Sequence, residues 1–212
     1  MFKSEIITKN SDIYNYIYGK SYVPNKDIDI ENLRYLTVSY IDFSNKNKTG
    51  HLIVNEAIVE DILYIFEELF KNKYQLNSVE LIEKYWEKDA TTSDKNSMLR
   101  NNSSCFNYRN LVGANRLSWH AFGLAVDINP LNNPFIINKN GKLDYDSLTP
   151  EELYYAKNRG KNIAHIIDHD DLAYKLFTER GFEWGGDWDI KTRHLDYQHF
   201  EKHIVNNKKV GF

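Results

Sequence analysis

The sequence predicts an α+β domain with a mostly antiparallel central sheet and flanking helices. Three observations carry that expectation. Strand-like and helix-like segments follow one another without regular βαβ alternation. Turn residues punctuate them at short intervals. No internal repeat, low-complexity tract or linker divides the 212 residues, so a single domain over residues 1–212 is expected, with 1–32 as an N-terminal extension.

In chain order, LRYLTVSYIDF (33–43) sets Leu36, Val38 and Tyr40 on one side against Tyr35, Thr37, Ser39 and Ile41, the period of a strand, and NKNKTG breaks it. Ile58, Ile62, Phe66, Leu69 and Phe70 then recur at helical spacing. Asn55 suits the N-cap, and Val54 and Val59 suit a hydrophobic staple. SVELIEKYW (78–86) reads as a strand, and the polar stretch that follows, to Arg109, reads as a long loop, of the kind that is either functional or disordered. FGLAVDI (122–128) is expected to be a buried strand closed by Asn129-Pro130 and Asn133-Pro134. Thr149, Pro150 and Glu152 form a capping box for a short helix ending at Gly160. DDLAYKLFTERG predicts another, with Leu172, Leu176 and Phe177 facing inward, and RHLDYQHFE is a last strand or loop segment.

A formal net charge of -3 and the lack of any Lys/Arg block argue against nucleic acid and anionic membranes as partners. The single Cys105 excludes an intrachain disulfide and any multi-cysteine metal site, so a metal here must use histidine and carboxylate. Neither a basic, apolar leader nor a run of 18 apolar residues is visible, and no signal peptide or membrane span is expected.

Asp127 lies between Val126 and Ile128 in a run that should be buried, where an ionised carboxylate costs several kcal/mol unless compensated. A salt bridge would serve, and so would a metal. For the second reading the partners are His120, before Gly123, and His199, with Asp196 three residues ahead of it. Two histidines, one carboxylate and an open position make a catalytic zinc site, and a further carboxylate can take a proton from water there. His165 and His169 have helical metal-pair spacing, yet Asp168 reads as a helix cap that breaks their shared face. His51, His194 and His203 read as surface residues, with His194 a possible neighbour of the site.

The two motifs SWHAFGLAVD and DYQHFE, with WGGDW before the second, resemble the zinc D,D-peptidase family. That family includes D-alanyl-D-alanine carboxypeptidases and L-alanyl-D-glutamate endopeptidases acting on peptidoglycan. The resemblance spans about residues 94–201 and, more loosely, reaches back to the strand and helix near 33–71; it implies a Hedgehog/DD-peptidase-like fold and a Zn²⁺ cofactor. It places the metal ligands on His120, Asp127 and His199 and the catalytic carboxylate on Asp196. Arg109, in CFNYR, matches the arginine that meets the substrate carbonyl or carboxylate. Ser118 is implied to hydrogen-bond near metal or substrate. Trp184, Trp188 and Tyr197, close in sequence to the last ligand, suit the wall of a substrate groove, with core packing expected for at least one of them. The endopeptidase branch carries Asp at the position of Asp196, whereas the vancomycin-resistance enzymes carry Glu. The implied partner is the peptidoglycan stem peptide, met outside the cell or in the cell wall, for a bacterial or phage-encoded protein. Hedgehog signalling domains share such a site without catalysis, which leaves a zinc-bearing binding module as the alternative.

Overall fold

The structure is a computed structural model that describes residues 1–111, 113–161 and 163–204. Its elements are β1 (Phe2–Ile6), α1 (Asp12–Ile17), β2 (Leu33–Ile41), β3 (Asn47–Asn55), α2 (Val59–Lys71), β4 (Ser78–Val79), α3 (Ala90–Leu99) and β5 (Asn102–Ser103). They continue with β6 (Ala125–Asp127), β7 (Phe135–Lys139), β8 (Lys142–Asp144), α4 (Pro150–Lys157), α5 (Leu172–Glu179), β9 (Glu183–Trp184), β10 (Leu195–Asp196) and β11 (His199–Glu201). The α+β class is as expected. The strands are shared among three antiparallel sheets, β1-β2-β3, β10-β7-β8 and β6-β11-β9, with β4 and β5 as a short parallel pair.

The long hairpin of β2 and β3 keeps strict alternation, which buries Leu36, Val38, Leu52 and Val54 against α2. From α2, Ile62, Ile65, Phe66 and Leu69 face this core. Burying each such side chain contributes roughly 1.5–3 kcal/mol. Asn55 does cap the segment, accepting from the Ala57 amide at 3.1 Å, although the first turn, Glu56–Ile58, is 3₁₀ before α2 begins. Residues 1–32 pack onto this layer. β1 pairs with β2, and Ile7, Ile17, Tyr22, Ile28 and Ile30 join Leu33, Ile53 and Phe106 in a second apolar cluster.

Four local expectations change. The strand over 78–86 shrinks to Ser78–Val79, because only those two residues find a partner, at 102–103. Beyond them Ile82–Tyr85 coil into a 3₁₀ turn that buries Ile82 and Glu83. The polar stretch to Arg109 is not a continuous loop, since α3 occupies its middle, capped by Asp89 accepting from the Thr92 amide at 2.7 Å. The buried face of α3 is Ser93, Asp94 and Ser97, so no apolar period marks it. The strand over 122–128 begins only at Ala125, because Phe122 and Gly123 close a preceding turn.

Finally, the cap of α5 is Asp171 and not Asp168. The Asp171 carboxylate accepts from the Ala173 amide at 2.8 Å, whereas Asp168 accepts from Asp170 within a tight turn. The expected capping box of α4 is present.

Asp171 also accepts from the Tyr74 hydroxyl at 3.2 Å, and burial pushes its carboxyl up from 3.8 to about 6. A raised carboxyl contributes stability that is complete below about pH 4 and lost as pH rises through 6. Asp171→Asn keeps a capping oxygen without the charge. Relative to the parent it is expected to gain about 1–3 kcal/mol between pH 4 and pH 8, read by urea denaturation at both pH values. A difference that does not move with pH contradicts this.

Candidate metal centre

Two neighbouring strands build the site. β6 and β11 run antiparallel with His199 opposite Asp127, Phe200 opposite Val126 and Glu201 opposite Ala125. Alternation sends Val126 and Phe200 into the core, where the Phe200 ring stacks on Phe177 at 4.3 Å. It therefore turns Asp127, His199 and Glu201 to the other face. Asp127 is held on both edges, since its backbone also exchanges two hydrogen bonds with Ser104, at 2.9 and 3.1 Å.

His120 arrives on the 3₁₀ turn Trp119–Phe122. The Ser118 hydroxyl caps that turn by accepting from the His120 amide at 3.3 Å. Gly123 ends it with φ 66°, and a Cβ there would lie 2.6 Å from the Asn55 amide nitrogen. That close approach lets Asn55 fasten the turn, donating its amide N–H to the Gly123 carbonyl at 2.9 Å and its side-chain N–H to the Phe122 carbonyl at 3.0 Å.

The three side chains meet. His120 Nε2 lies 3.1 Å from His199 Nδ1 and 3.3 Å from Asp127 Oδ1, and His199 Nδ1 lies 3.0 Å from Asp127 Oδ1. All three residues are buried. Ligand bonds of about 2.0–2.1 Å at tetrahedral angles set donor atoms about 3.3 Å apart, so the cluster has the donor types and spacing of a zinc site. The remaining imidazole nitrogens are engaged elsewhere. His120 Nδ1 donates to the Cys105 carbonyl at 2.5 Å, and His199 Nε2 meets Glu201 Oε2 at 2.9 Å. Both contacts direct the other nitrogen of each ring toward Asp127.

The electrostatics follow from this crowding. Burial works against the Asp127 charge, yet the charges and hydrogen bonds of His120 and His199 hold its carboxyl well below the usual range. Burial alone would lower His199, but hydrogen bonds to Asp127 and Glu201 raise it to about 10. Burial likewise opposes the Glu201 charge, while His199 and Arg193 bring its carboxyl down to about 2. His120, His199, Asp127 and Glu201 thus form one hydrogen-bonded network.

Asp196 faces the same cavity, of about 240 Å³, whose walls also carry Arg109, Trp188, His194 and Gln198. Burial pushes the Asp196 carboxyl up to about 7, opposed by the His199 charge and reinforced by Asp127. Its Oδ1 is buried without a hydrogen-bond partner in the protein, as are Arg109 Nε, Trp188 Nε1 and Gln198 Oε1. Buried polar atoms are rarely left unpaired, and a wall bearing several of them suits a polar ligand. Gly185 makes room for this arm, since a Cβ there would lie 2.4 Å from the Asp196 carbonyl oxygen and 2.8 Å from its Cβ.

Arg109 is not a surface ion pair. Its guanidinium lies 2.6 Å from Asp94 on α3, and both side chains are at most one-tenth exposed. Tyr197 follows Asp196 on the opposite face, packs with Ile136 and Leu195, and carries the Arg159 guanidinium 4.0 Å from its ring. It does not line the cavity. Trp184 is a core residue whose indole N–H donates to the Tyr197 carbonyl at 2.9 Å, whereas Trp188 stands 5.4 Å from the His199 ring in the cavity wall. His165 stacks on Phe43 and His169 pairs with Asp187, so these two do not form a metal site together. His194 lines the cavity while accepting from the Asn138 amide at 2.9 Å.

Glu201 and Asp94 escaped the motif reading. Glu201 is two residues from His199 on a strand, hence on the same face, and that period marks it. Asp94 lies on a helix that hydrophobicity does not reveal. No helix among the described residues is long and apolar enough to cross a membrane.

No curated protein and no solved structure matches the chain. Residues 112–202, which hold His120, Asp127, Asp196 and His199, match the family model described as D-alanyl-D-alanine carboxypeptidase, the zinc peptidase family that the two motifs resemble.

Proposed function

We propose that the protein is a zinc-dependent peptidase that hydrolyses a peptide bond in the stem peptide of bacterial peptidoglycan, in the wall or outside the cell. The observation that carries this reading is the convergence of His120, Asp127 and His199 within 3.3 Å of one another in the cavity that Asp196 also lines.

His120, Asp127 and His199 would hold the zinc, which would supply a Lewis acid for the carbonyl and a more acidic water as nucleophile. The chain's own residues do the rest. Asp196, with its carboxyl near neutrality and Oδ1 without a partner, can accept a proton from the attacking water and return it to the leaving amine. Arg109 is fixed by Asp94 and offers its cation to the scissile carbonyl oxygen as charge develops, or to a substrate carboxylate. Trp188 supplies a flat wall against the substrate, and Ser118 holds the turn that presents His120.

The family description favours removal of a terminal D-Ala, while Asp at position 196 favours cleavage between L-Ala and D-Glu. Digestion of purified peptidoglycan followed by mass spectrometry separates them, through loss of terminal D-Ala in the first case and new L-Ala and D-Glu ends in the second. Zinc binding without either product would support a non-catalytic binding module instead.

The placement of Asp196 is testable through Gly185. In Gly185→Ala the added methyl must displace Asp196, and misplacement by about 1 Å can cost ~10²-fold in turnover. Zinc stoichiometry is expected to be unchanged, since the three atoms nearest that methyl all belong to Asp196. Full activity in a folded Gly185→Ala protein contradicts the assigned role of Asp196.

A further inference from the structure

We infer that Glu201 is the positioning residue for His199, and that Arg193 holds Glu201 in that task while forming part of the substrate wall. The inference rests on the reading of His120, Asp127 and His199 as a zinc site and extends it to two residues that the motifs give no ligand or catalytic role.

Glu201 is 2% exposed, and both carboxylate oxygens are occupied. Oε2 lies 2.9 Å from His199 Nε2, while Oε1 accepts from Arg193 Nη2 at 3.0 Å and meets His203 Nε2 at 3.1 Å. The strand period puts Glu201 on the face of His199, and the small Ala125 opposite leaves space for its side chain. An imidazole can bind metal through either nitrogen. A carboxylate accepting from Nε2–H fixes the ring plane, leaves Nδ1 as the metal-facing atom and makes that atom more basic.

The two histidines are thus oriented differently. His120 leans on the neutral Cys105 carbonyl and His199 on a charged carboxylate. A carboxylate buried this deeply needs its own counter-charge, and Arg193 supplies it. The same guanidinium stacks 3.5 Å from the Trp188 ring centroid. An unbroken series of contacts therefore runs from the cavity wall through Trp188, Arg193 and Glu201 to His199. Arg193 is not free to act as a substrate anchor of the Arg109 kind, because both Glu201 and Trp188 already constrain it.

The test measures zinc affinity by chelator competition on the full chain, together with the His199 Nε2–H proton resonance of the zinc-loaded protein. Glu201→Ala is expected to weaken zinc binding by about 10–100-fold and to lose the Nε2–H signal to fast solvent exchange. Glu201→Gln keeps an acceptor oxygen without charge. It is expected to retain the signal and weaken binding by roughly three- to tenfold. Arg193→Ala should fall between the parent and Glu201→Ala. His203→Ala, which touches Glu201 but not His199, should bind zinc as the parent does.

Parent-like affinity and a protected Nε2–H in Glu201→Ala overturn the inference. If that variant does not fold, parent-like affinity in Glu201→Gln overturns it instead. A parent protein that binds no zinc overturns the underlying zinc-site reading, which keeps the two failures distinct.

Discussion

Asp196→Ala is expected to bind one zinc per chain like the parent and to lose peptidase turnover by at least about 10²–10⁴-fold, the usual contribution of a positioned proton-transfer group. The separation of binding from turnover follows from the geometry. The three proposed ligands, His120, Asp127 and His199, are each oriented by contacts that do not involve Asp196: the Cys105 carbonyl, the Ser104 backbone pairing and Glu201. Removing the Asp196 side chain leaves those contacts in place and takes away the carboxylate with an unpaired Oδ1 in the cavity. Asp196→Asn is the sharper comparison, because it preserves volume and removes only the capacity to hold a proton. Both variants are to be assayed for zinc by elemental analysis and for turnover on peptidoglycan fragments. Retained hydrolysis in either rules out Asp196 as the proton carrier.

His120→Ala is expected to lose both metal and activity. It leaves two protein ligands where a catalytic zinc site uses three, so zinc should fall from one equivalent toward none after dialysis, with turnover at background. It also withdraws one of the two histidines that offset the buried Asp127 charge. Stripping a partner from a buried pair costs about 3–5 kcal/mol when nothing replaces it, and the remaining His199 should keep the loss below that. Measured in chelator, the zinc-free variant should thus be less stable than the zinc-free parent. Equal stability would mean that the Asp127 charge is compensated without His120.

Much of the candidate metal centre was legible because its logic is local. The six residues between His120 and Asp127 contain one turn and one strand start, and Gly123 marks the junction by a backbone conformation and a close approach that a side chain would block. Asp127 stood out as a charge in an apolar run, and the structure explains it through alternation: Val126 takes the core side and Asp127 the cavity side. Pairing the two motifs required the resemblance, since no spacing rule states that β11 lies beside β6 with His199 opposite Asp127.

What stayed hidden was built from polar contacts. α3 buries Ser93, Asp94 and Ser97, giving no hydrophobic period, yet it carries the carboxylate that fixes Arg109. The short strands β4, β5, β9 and β10 are two residues each, too short for any alternation to register. Tyr197 shows the limit of adjacency in sequence: next to Asp196 on the chain, it turns to the opposite face and stacks with Arg159. For α5, Asp168 reads as the cap in the sequence, and only the hydrogen bond from the Ala173 amide identifies Asp171.

The measurement that tests the central claim most directly is zinc reconstitution of the chelator-treated protein on purified peptidoglycan. Hydrolysis should vanish on chelation and return in proportion to added zinc, reaching a plateau at one equivalent per chain, with His120→Ala showing no return. Hydrolysis that survives complete removal of metal, or a protein that takes up no zinc, would contradict the account.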